Sequence, residues 1–103
     1  MTRRRYYRLK EFLHPARLKL LILLAEKGEA NISGLAKAMR VHRSVAMRYL
    51  NILEAIGLVK GRLRAIKGRK MGRFYRVNEE AVKLLLQDAL AMLMELEGRI
   101  VGV

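Results

Sequence analysis

The spacing of apolar residues divides the first half of the chain into three helical segments. Helical periodicity predicts one helix over residues 15–28, a short one behind Asn31 or Ser33, and a third over residues 43–56. Pro15 suits the first position of a helix, because the N–H it lacks would have no partner there. The residues predicted to face the core are Leu18, Leu21, Ile22, Leu24, Ala25, Leu35, Ala36, Met39, Ala46, Leu50 and Leu53.

The second half changes from strand to helix periodicity. Residues 58–66 and 73–78 read as two strands around a basic turn over residues 67–72. A last helix is predicted over residues 79–98, with Asn78 as its N-cap and two glutamates in its first turn. Its apolar residues step by four and three positions, a spacing that suits helix-on-helix packing. We predict a dimer interface made by Val82, Leu86, Ala89, Leu93, Leu96 and Ile100.

This element order predicts a single domain over residues 1–103. The fold class is mainly α with a small β-hairpin, as in a winged helix-turn-helix with a long C-terminal dimerisation helix. Residues 1–10 are predicted to be a basic arm or an early extension of the first helix.

Positive charge is concentrated in the first three quarters of the chain. The net charge is +13, and residues 1–78 hold 20 basic and 4 acidic side chains against 2 and 5 in residues 79–103. Residues 60–76 alone contain eight Lys or Arg and no Asp or Glu. This division predicts one half that faces a polyanion and one half that faces a partner protein.

Composition excludes several functional classes. The chain has no cysteine, so disulfides, thiolate metal sites and cysteine nucleophiles are ruled out. Ser33 and Ser44 lack a catalytic context, and His14 and His42 are isolated residues expected to cap or lie at the surface. We therefore expect no enzyme activity, no cofactor and no metal.

No apolar run is long enough to span a bilayer. We expect a cytoplasmic, nucleoid-associated protein without a membrane partner. The single Gln and three Asn favour a thermophilic source, and we expect an archaeal one.

The third helix is the predicted DNA-reading element. Its apolar residues turn inward and leave a polar outer face, where Arg can pair with guanine in a major groove. Arg48 could equally hold a phosphate, and Met47 is a poor hydrogen-bonding reader. An ordinary exposed helix face is the alternative. The predicted DNA contacts of this helix are His42, Arg43, Ser44, Met47 and Arg48.

The hairpin behind that helix is the predicted wing. Its cations are expected to follow phosphates or to enter the adjacent minor groove. The predicted wing contacts are Arg62, Arg64, Lys67, Arg69, Lys70 and Arg73. A basic arm made by Arg3, Arg4 and Arg5 is a further candidate, with a loose tail as the equal alternative.

Several segments in order resemble the ArsR-type repressors, the family of arsenical-resistance regulators. They are LHPARLKLL at residues 13–21, NISGLA at 31–36, VAMRYLNIL at 45–53 followed by GLV at 57–59, and FYRV at 74–77. The resemblance implies a homodimer with its first and last helices at the interface, bound to a two-fold-related DNA site. A repressor is expected, and the small-molecule effector is unknown.

The chain departs from this family pattern at four informative places. Asn31 and Ser33 stand where metal-sensing members have cysteines, and the last helix has no His, so we expect no metal sensor. His42 replaces the usual Ser-type cap. Arg40 replaces a turn glycine, so this turn is either not left-handed or strained.

Three hypotheses follow. The leading one is a homodimeric, sequence-specific binder of double-stranded DNA that regulates transcription. The second is a sequence-neutral, chromatin-like architectural protein, favoured by the charge density and by Met47. The third is a protein-interaction or RNA-binding module that uses the last helix for docking.

Overall fold

The computed structural model describes the backbone of residues 3–102 and the side chains of residues 7–102. Within this part of the chain the helices are α1 (Arg3–Phe12), α2 (Pro15–Lys27), α3 (Ile32–Met39), α4 (Arg43–Ala55) and α5 (Glu79–Val101). The strands are β1 (Ala30–Asn31), β2 (Val59–Lys67) and β3 (Lys70–Val77), in the antiparallel order β1-β3-β2. This is a winged helix-turn-helix, which confirms the predicted fold class.

The basic N-terminal segment forms a helix of its own. Leu9 and Phe12 of α1 are buried, and Pro15 opens α2 after a two-residue break. Arg17 joins the two helices: its Nε donates to the carbonyl of Glu11 at 2.8 Å and its Nη2 lies 2.7 Å from the Glu11 carboxylate. Residues 3–12 are therefore a helix separate from α2 and not an extension of it, and the role of this segment as a basic arm stays a prediction.

The buried face of α2 differs from the predicted one. Leu20, Leu21 and Leu24 are buried, whereas Ile22 is 59% exposed and Ala25 is exposed. Residues 20–25 are all apolar, so the periodicity of this segment does not select a face. The tertiary contacts decide it instead.

The turn between α3 and α4 is left-handed at Arg40. Its φ and ψ are 57° and 43°, and its N–H donates to the carbonyls of Ala36 and Lys37. Arg40 therefore adopts the left-handed conformation that glycine favours. For an L residue this conformation costs about 1–2 kcal/mol of backbone strain. At the other end of α3, Asn31 is the N-cap and accepts from the N–H of Gly34 at 2.8 Å.

The predicted core of the helix-turn-helix is confirmed. Fully buried side chains from α3, α4 and the base of the sheet meet at its centre, and burying each large one contributes about 1.5–3 kcal/mol. They are Leu35, Ala46, Leu50, Leu53, Leu58, Val59 and Tyr75.

The hairpin is longer and its turn tighter than predicted. Lys67 pairs with Lys70, which leaves a two-residue turn of Gly68 and Arg69, and Gly68 has a φ of 59°. The register shifts between Ala65 and Lys67, so the strand has a bulge there. Strand β1 was not predicted; its two residues pair with Phe74 and Tyr75 and are too few to show a period.

Helix α5 ends at Val101, three residues beyond the predicted end. Asn78 caps it as predicted, accepting from the N–H of Ala81 at 3.4 Å, and its Nδ2 donates to the carbonyl of Gly57 at 2.9 Å. Only Leu85 and Ala89 of α5 are buried, and the helix lies against α1 of the same chain. In the part of the chain described, no helix is long and apolar enough to cross a membrane.

Candidate nucleic-acid interface

Helix α4 presents a continuous polar face to solvent. Arg43, Met47 and Asn51 follow one another at intervals of four residues, which places them on one side of the helix, and Ser44 and Arg48 lie beside them. All five are exposed. Four of them were predicted, whereas Asn51 was missed. Its exposure and spacing mark it as a further candidate, because Asn can pair bidentately with adenine.

His42 begins α4 as its N-cap. Its Nδ1 accepts from the backbone N–H of Ser44 at 3.2 Å and lies 2.8 Å from the Ser44 hydroxyl. His42 therefore caps α4 in place of a Ser-type residue, and its ring contacts the side chain of Ser44 at the start of the helix.

The tip of the wing carries three cations that lie free in solvent. Lys67, Arg69 and Lys70 are exposed, and none has an acidic partner among the described residues. Arg69 is in the turn itself, and the two lysines form the last pair of the ladder. Like charges directly opposite each other destabilise a hairpin, so an anion at this tip would stabilise it.

The two arginines halfway along β2 are tied to Glu29. Arg64 forms a hydrogen-bonded ion pair with Glu29, and its guanidinium lies 4.2 Å from the centre of the Phe74 ring. Arg62 is 4.0 Å from the same carboxylate, although 65% of its side chain is exposed. These contacts order one face of the wing and partly neutralise it.

Arg73 is tied to Glu54 at the base of the wing. Its Nη2 donates to both carboxylate oxygens, at 2.8 and 3.1 Å. The hydrogen bond and the negative charge of Glu54 raise the pKa of Arg73. The Glu54 carboxylate also accepts from the N–H of Gly61 at 3.0 Å, so one side chain of α4 holds both strands.

The six predicted wing residues thus divide into two groups. Lys67, Arg69 and Lys70 at the tip are available to an anion, whereas Arg62, Arg64 and Arg73 lie nearer the base and share two glutamates. Sequence reasoning missed both glutamates. A signal was present: residues 1–78 hold only four acidic residues, so each is a candidate ion-pair partner for the basic segment.

A basic groove lies where the wing meets the start of α5. Lys60 and Arg76 are directly opposite in the ladder and are both exposed. With Arg62 they line a groove of about 430 Å³ that also includes Asn78 and the acidic Glu79. This widens the positive surface beyond the predicted wing residues.

The remaining predicted sites have separate outcomes. The side chains of Arg3, Arg4 and Arg5 lie outside the described residues, and the arm they were predicted to form is helical along its backbone. His14 makes no capping bond and lies with its ring 5.8 Å from that of Tyr49. Among the described residues, no three His, Asp or Glu side chains come together to hold a metal ion.

The helix-turn-helix segment can be assigned by comparison with known families. Residues 14–60, from the start of α2 into β2, match the model of the bacterial regulatory proteins of the arsR family. This segment is similar to the ArsR family. Solved structures similar to the chain extend the likeness to the wing and α5.

Two of the solved structures that are similar to this chain are 27% identical to it. One is the solution structure of a homodimeric winged helix-turn-helix DNA-binding domain from Mycobacterium bovis, described as a possible ArsR-family transcriptional regulator. It is 27% identical with a TM-score of 0.64, and the match covers 85% of this chain and 78% of that one. The other is a possible transcriptional regulator for arsenical resistance, 27% identical with a TM-score of 0.70, covering 92% and 94%.

A more distant structure shares the fold alone. It is a transcriptional regulator homologue from Pyrococcus horikoshii, 19% identical with a TM-score of 0.64, and the match covers 89% of this chain and 96% of that one. No curated protein sequence matches the chain. The likeness to the ArsR family therefore rests on the family model over residues 14–60 and on the two structures that are 27% identical.

Proposed function

We propose that this chain binds double-stranded DNA as a homodimer and regulates transcription as a repressor. The observation that carries the proposal is the exposed face of α4 beside a wing whose tip holds three cations without acidic partners among the described residues. In this arrangement α4 enters the major groove and the wing tip follows the backbone or the adjacent minor groove.

The two elements have different tasks in this proposal. Arg43, Ser44, Met47 and Asn51 lie near the amino-terminal part or the middle of α4, where side chains reach base edges. Lys67, Arg69 and Lys70 supply charge that is independent of base sequence. Glu54 sets the distance between the two elements, because it bonds to Gly61 and Arg73 from the carboxyl-terminal end of α4.

The homodimer is proposed from the surface of α5. Most of its large apolar side chains have no cover in the single chain, an exposed area typical of an interaction site. The most exposed are Leu84, Leu90, Leu93, Met94, Leu96, Ile100 and Val101, each more than half exposed. A second copy would cover this face and place two α4 helices on one duplex, and the similar Mycobacterium bovis domain is described as homodimeric.

Selection of bound duplexes from a random pool, followed by sequencing, tests this function. We expect enrichment of a two-fold-related sequence with half-sites about one helical turn apart, since each protomer presents one α4. Enrichment of single, unrelated half-sites would contradict the homodimer. A failure to retain any duplex would contradict DNA binding.

A sequence-neutral architectural role is the second candidate. Met47 is at the centre of the α4 face and is 36% exposed, and its thioether is a weak hydrogen-bond acceptor that reads no base pattern. Competition between a selected site and random duplex separates the two roles. A ratio of about 10³ or more supports a regulator, and a ratio near one supports the architectural role.

A further inference from the structure

The outer half of the wing exposes large apolar side chains between its cations. Leu63, Ile66 and Met71 are 64%, 58% and 57% exposed. At the base of the same hairpin, Val59 and Tyr75 are buried in the core. The apolar surface near the tip is therefore separate from the core and has no cover within the described part of the chain.

Two of these side chains lie immediately behind the turn, one on each face of the hairpin. Met71 pairs with Ala65 on the face that also carries Leu63 and Arg73. Ile66 is at the bulge, and it lies across Gly72 on the other face, beside Phe74. A Cβ at position 72 would be 2.2 Å from Cδ1 of Ile66, so only glycine leaves room for this placement.

The charges around Ile66 and Met71 determine which kind of molecule can cover them. Ile66 and Met71 directly flank the turn that holds Lys67, Arg69 and Lys70, so an occupant must offer negative charge around an apolar interior. A DNA duplex does this, because phosphates border each groove and the faces of the stacked bases between them are apolar. An apolar protein surface would have to bury three cations without partners, which costs several kcal/mol for each.

The width of the hairpin tip determines how the duplex must change to admit it. Paired strands are about 4.8 Å apart before side chains are counted. The minor groove of B-form DNA is about 6 Å wide, so a hairpin tip with side chains on both faces enters it only if the groove widens. Apolar side chains inserted between base steps have this effect, and they bend the duplex toward the major groove.

We propose that the wing tip is a wedge: Ile66 and Met71 enter the minor groove, partly unstack a base step and bend the DNA. Lys67, Arg69 and Lys70 hold the phosphates on either side. The inference rests on the proposed DNA binding and adds to it a deformation of the duplex. The free energy of this deformation is lowest at flexible pyrimidine–purine steps.

A bending assay tests the wedge with the full-length chain. A mixed-sequence duplex of about 30 base pairs is labelled at both ends for energy transfer, and 2-aminopurine replaces its adenines to report unstacking. Binding is followed separately by anisotropy. We expect the wild-type chain to shorten the end-to-end distance and to raise 2-aminopurine fluorescence as it binds.

The test variant combines Ile66→Thr with Met71→Gln. We expect it to bind with an affinity within about tenfold of wild type, because the free energy of the lost contacts is offset by the free energy no longer spent on unstacking bases. We also expect it to lose most of the bend and most of the rise in fluorescence. Ile22→Thr on α2 is the matched control, since Ile22 is 59% exposed and the substitution is the same. Met71→Gln alone is a second variant that leaves the bulge intact, and a partial loss of bending is expected from it.

Two results would overturn the wedge: wild-type binding without bending or unstacking, or full bending by the double variant. A wild-type chain that does not bind the duplex in the anisotropy channel would contradict the proposed function itself, and the wedge with it. The anisotropy signal therefore tests the proposed function, whereas the energy-transfer and 2-aminopurine signals test the wedge.

Discussion

The guanidinium of Arg73 on β3 is held by the carboxylate of Glu54 on α4, with two contacts at 2.8 and 3.1 Å. Because the same carboxylate accepts from the N–H of Gly61 on β2, it joins the end of the proposed reading helix to both strands of the wing. Space at this junction is tight: a Cβ on Gly61 would be 2.8 Å from Nε of Arg73 and 2.9 Å from the Glu54 carboxylate. One acidic side chain of α4 therefore contacts both strands of the wing.

Glu54→Gln should loosen this junction and tighten DNA binding. The amide still accepts from Gly61, but it no longer holds Arg73 by charge, so Arg73 becomes available to a phosphate. Because two copies of the chain bind one duplex in the proposed complex, one phosphate contact is added in each copy. At about 0.9 per contact, we expect a plot of log affinity against log salt concentration to become steeper by about 1.8. Glu26→Gln on α2 is the control, because it removes the same charge from an exposed position. Equal slopes for the two variants would contradict a specific role for Glu54.

The fold was predictable from local signals because those signals agree. Ala46, Leu50 and Leu53 share one face of α4 at helical spacing, and Asn78 precedes two glutamates as an N-cap should. Where local signals were absent, the prediction failed. The all-apolar stretch in α2 did not reveal that Leu20 is buried and Ile22 is exposed, and β1 has only two residues.

The candidate site was less predictable, since its charges interact across long sequence separations. Glu29 is 35 residues from Arg64, and Glu54 is 19 residues from Arg73. No periodicity in the sequence connects such pairs. The basic segment could be recognised as a whole, but only the folded hairpin separates its three tip cations from those bound to glutamates.

Arg40→Gly should stabilise the chain. Arg40 has a φ of 57°, a conformation that strains an L residue but not glycine. The gain of about 1–2 kcal/mol is partly offset by the larger backbone entropy that glycine loses on folding, about 0.5–1 kcal/mol, so a net gain of about 0.5–1 kcal/mol is expected. Thermal unfolding should then show a Tm several degrees higher. Arg40→Ala keeps the strain and should change the Tm little. If the alanine variant raised the Tm as much as the glycine variant, backbone strain at this position would not explain the gain.

Leu93→Glu should dissociate the proposed homodimer. Leu93 is 59% exposed on α5 in the single chain, so a charge there is tolerated by a folded monomer but not by an apolar dimer interface. Sedimentation should give the monomer mass or, if the single chain is unstable alone, unfolded chain by circular dichroism. Leu63→Glu is the control, because Leu63 is 64% exposed, comparable with Leu93, and lies on the wing and not on α5. A Leu93→Glu chain that remains a dimer would refute this interface.

Arg43→Ala and Arg69→Ala should affect DNA binding in different ways. Arg43 lies on the α4 face, and its loss should cost about 1–3 kcal/mol on a selected site and relax the preference for that site. Arg69 lies in the wing turn, and its loss should weaken binding to selected and random duplexes alike. The salt slope should fall by about 1.8, because one phosphate contact is lost in each of the two copies. Affinities of both variants for both duplexes check this. Identical losses on the two duplexes for Arg43→Ala would remove it from the reading face.

The salt dependence of duplex binding by the wild-type chain tests the central claim most directly. Two copies of the chain present ten exposed candidate cations, namely Arg43, Arg48, Lys67, Arg69 and Lys70 in each. If six to ten of them contact phosphates, log affinity should fall linearly with log salt concentration with a slope between about −5 and −9. A slope near zero, or no measurable binding at low salt, would contradict the proposal that this surface binds DNA.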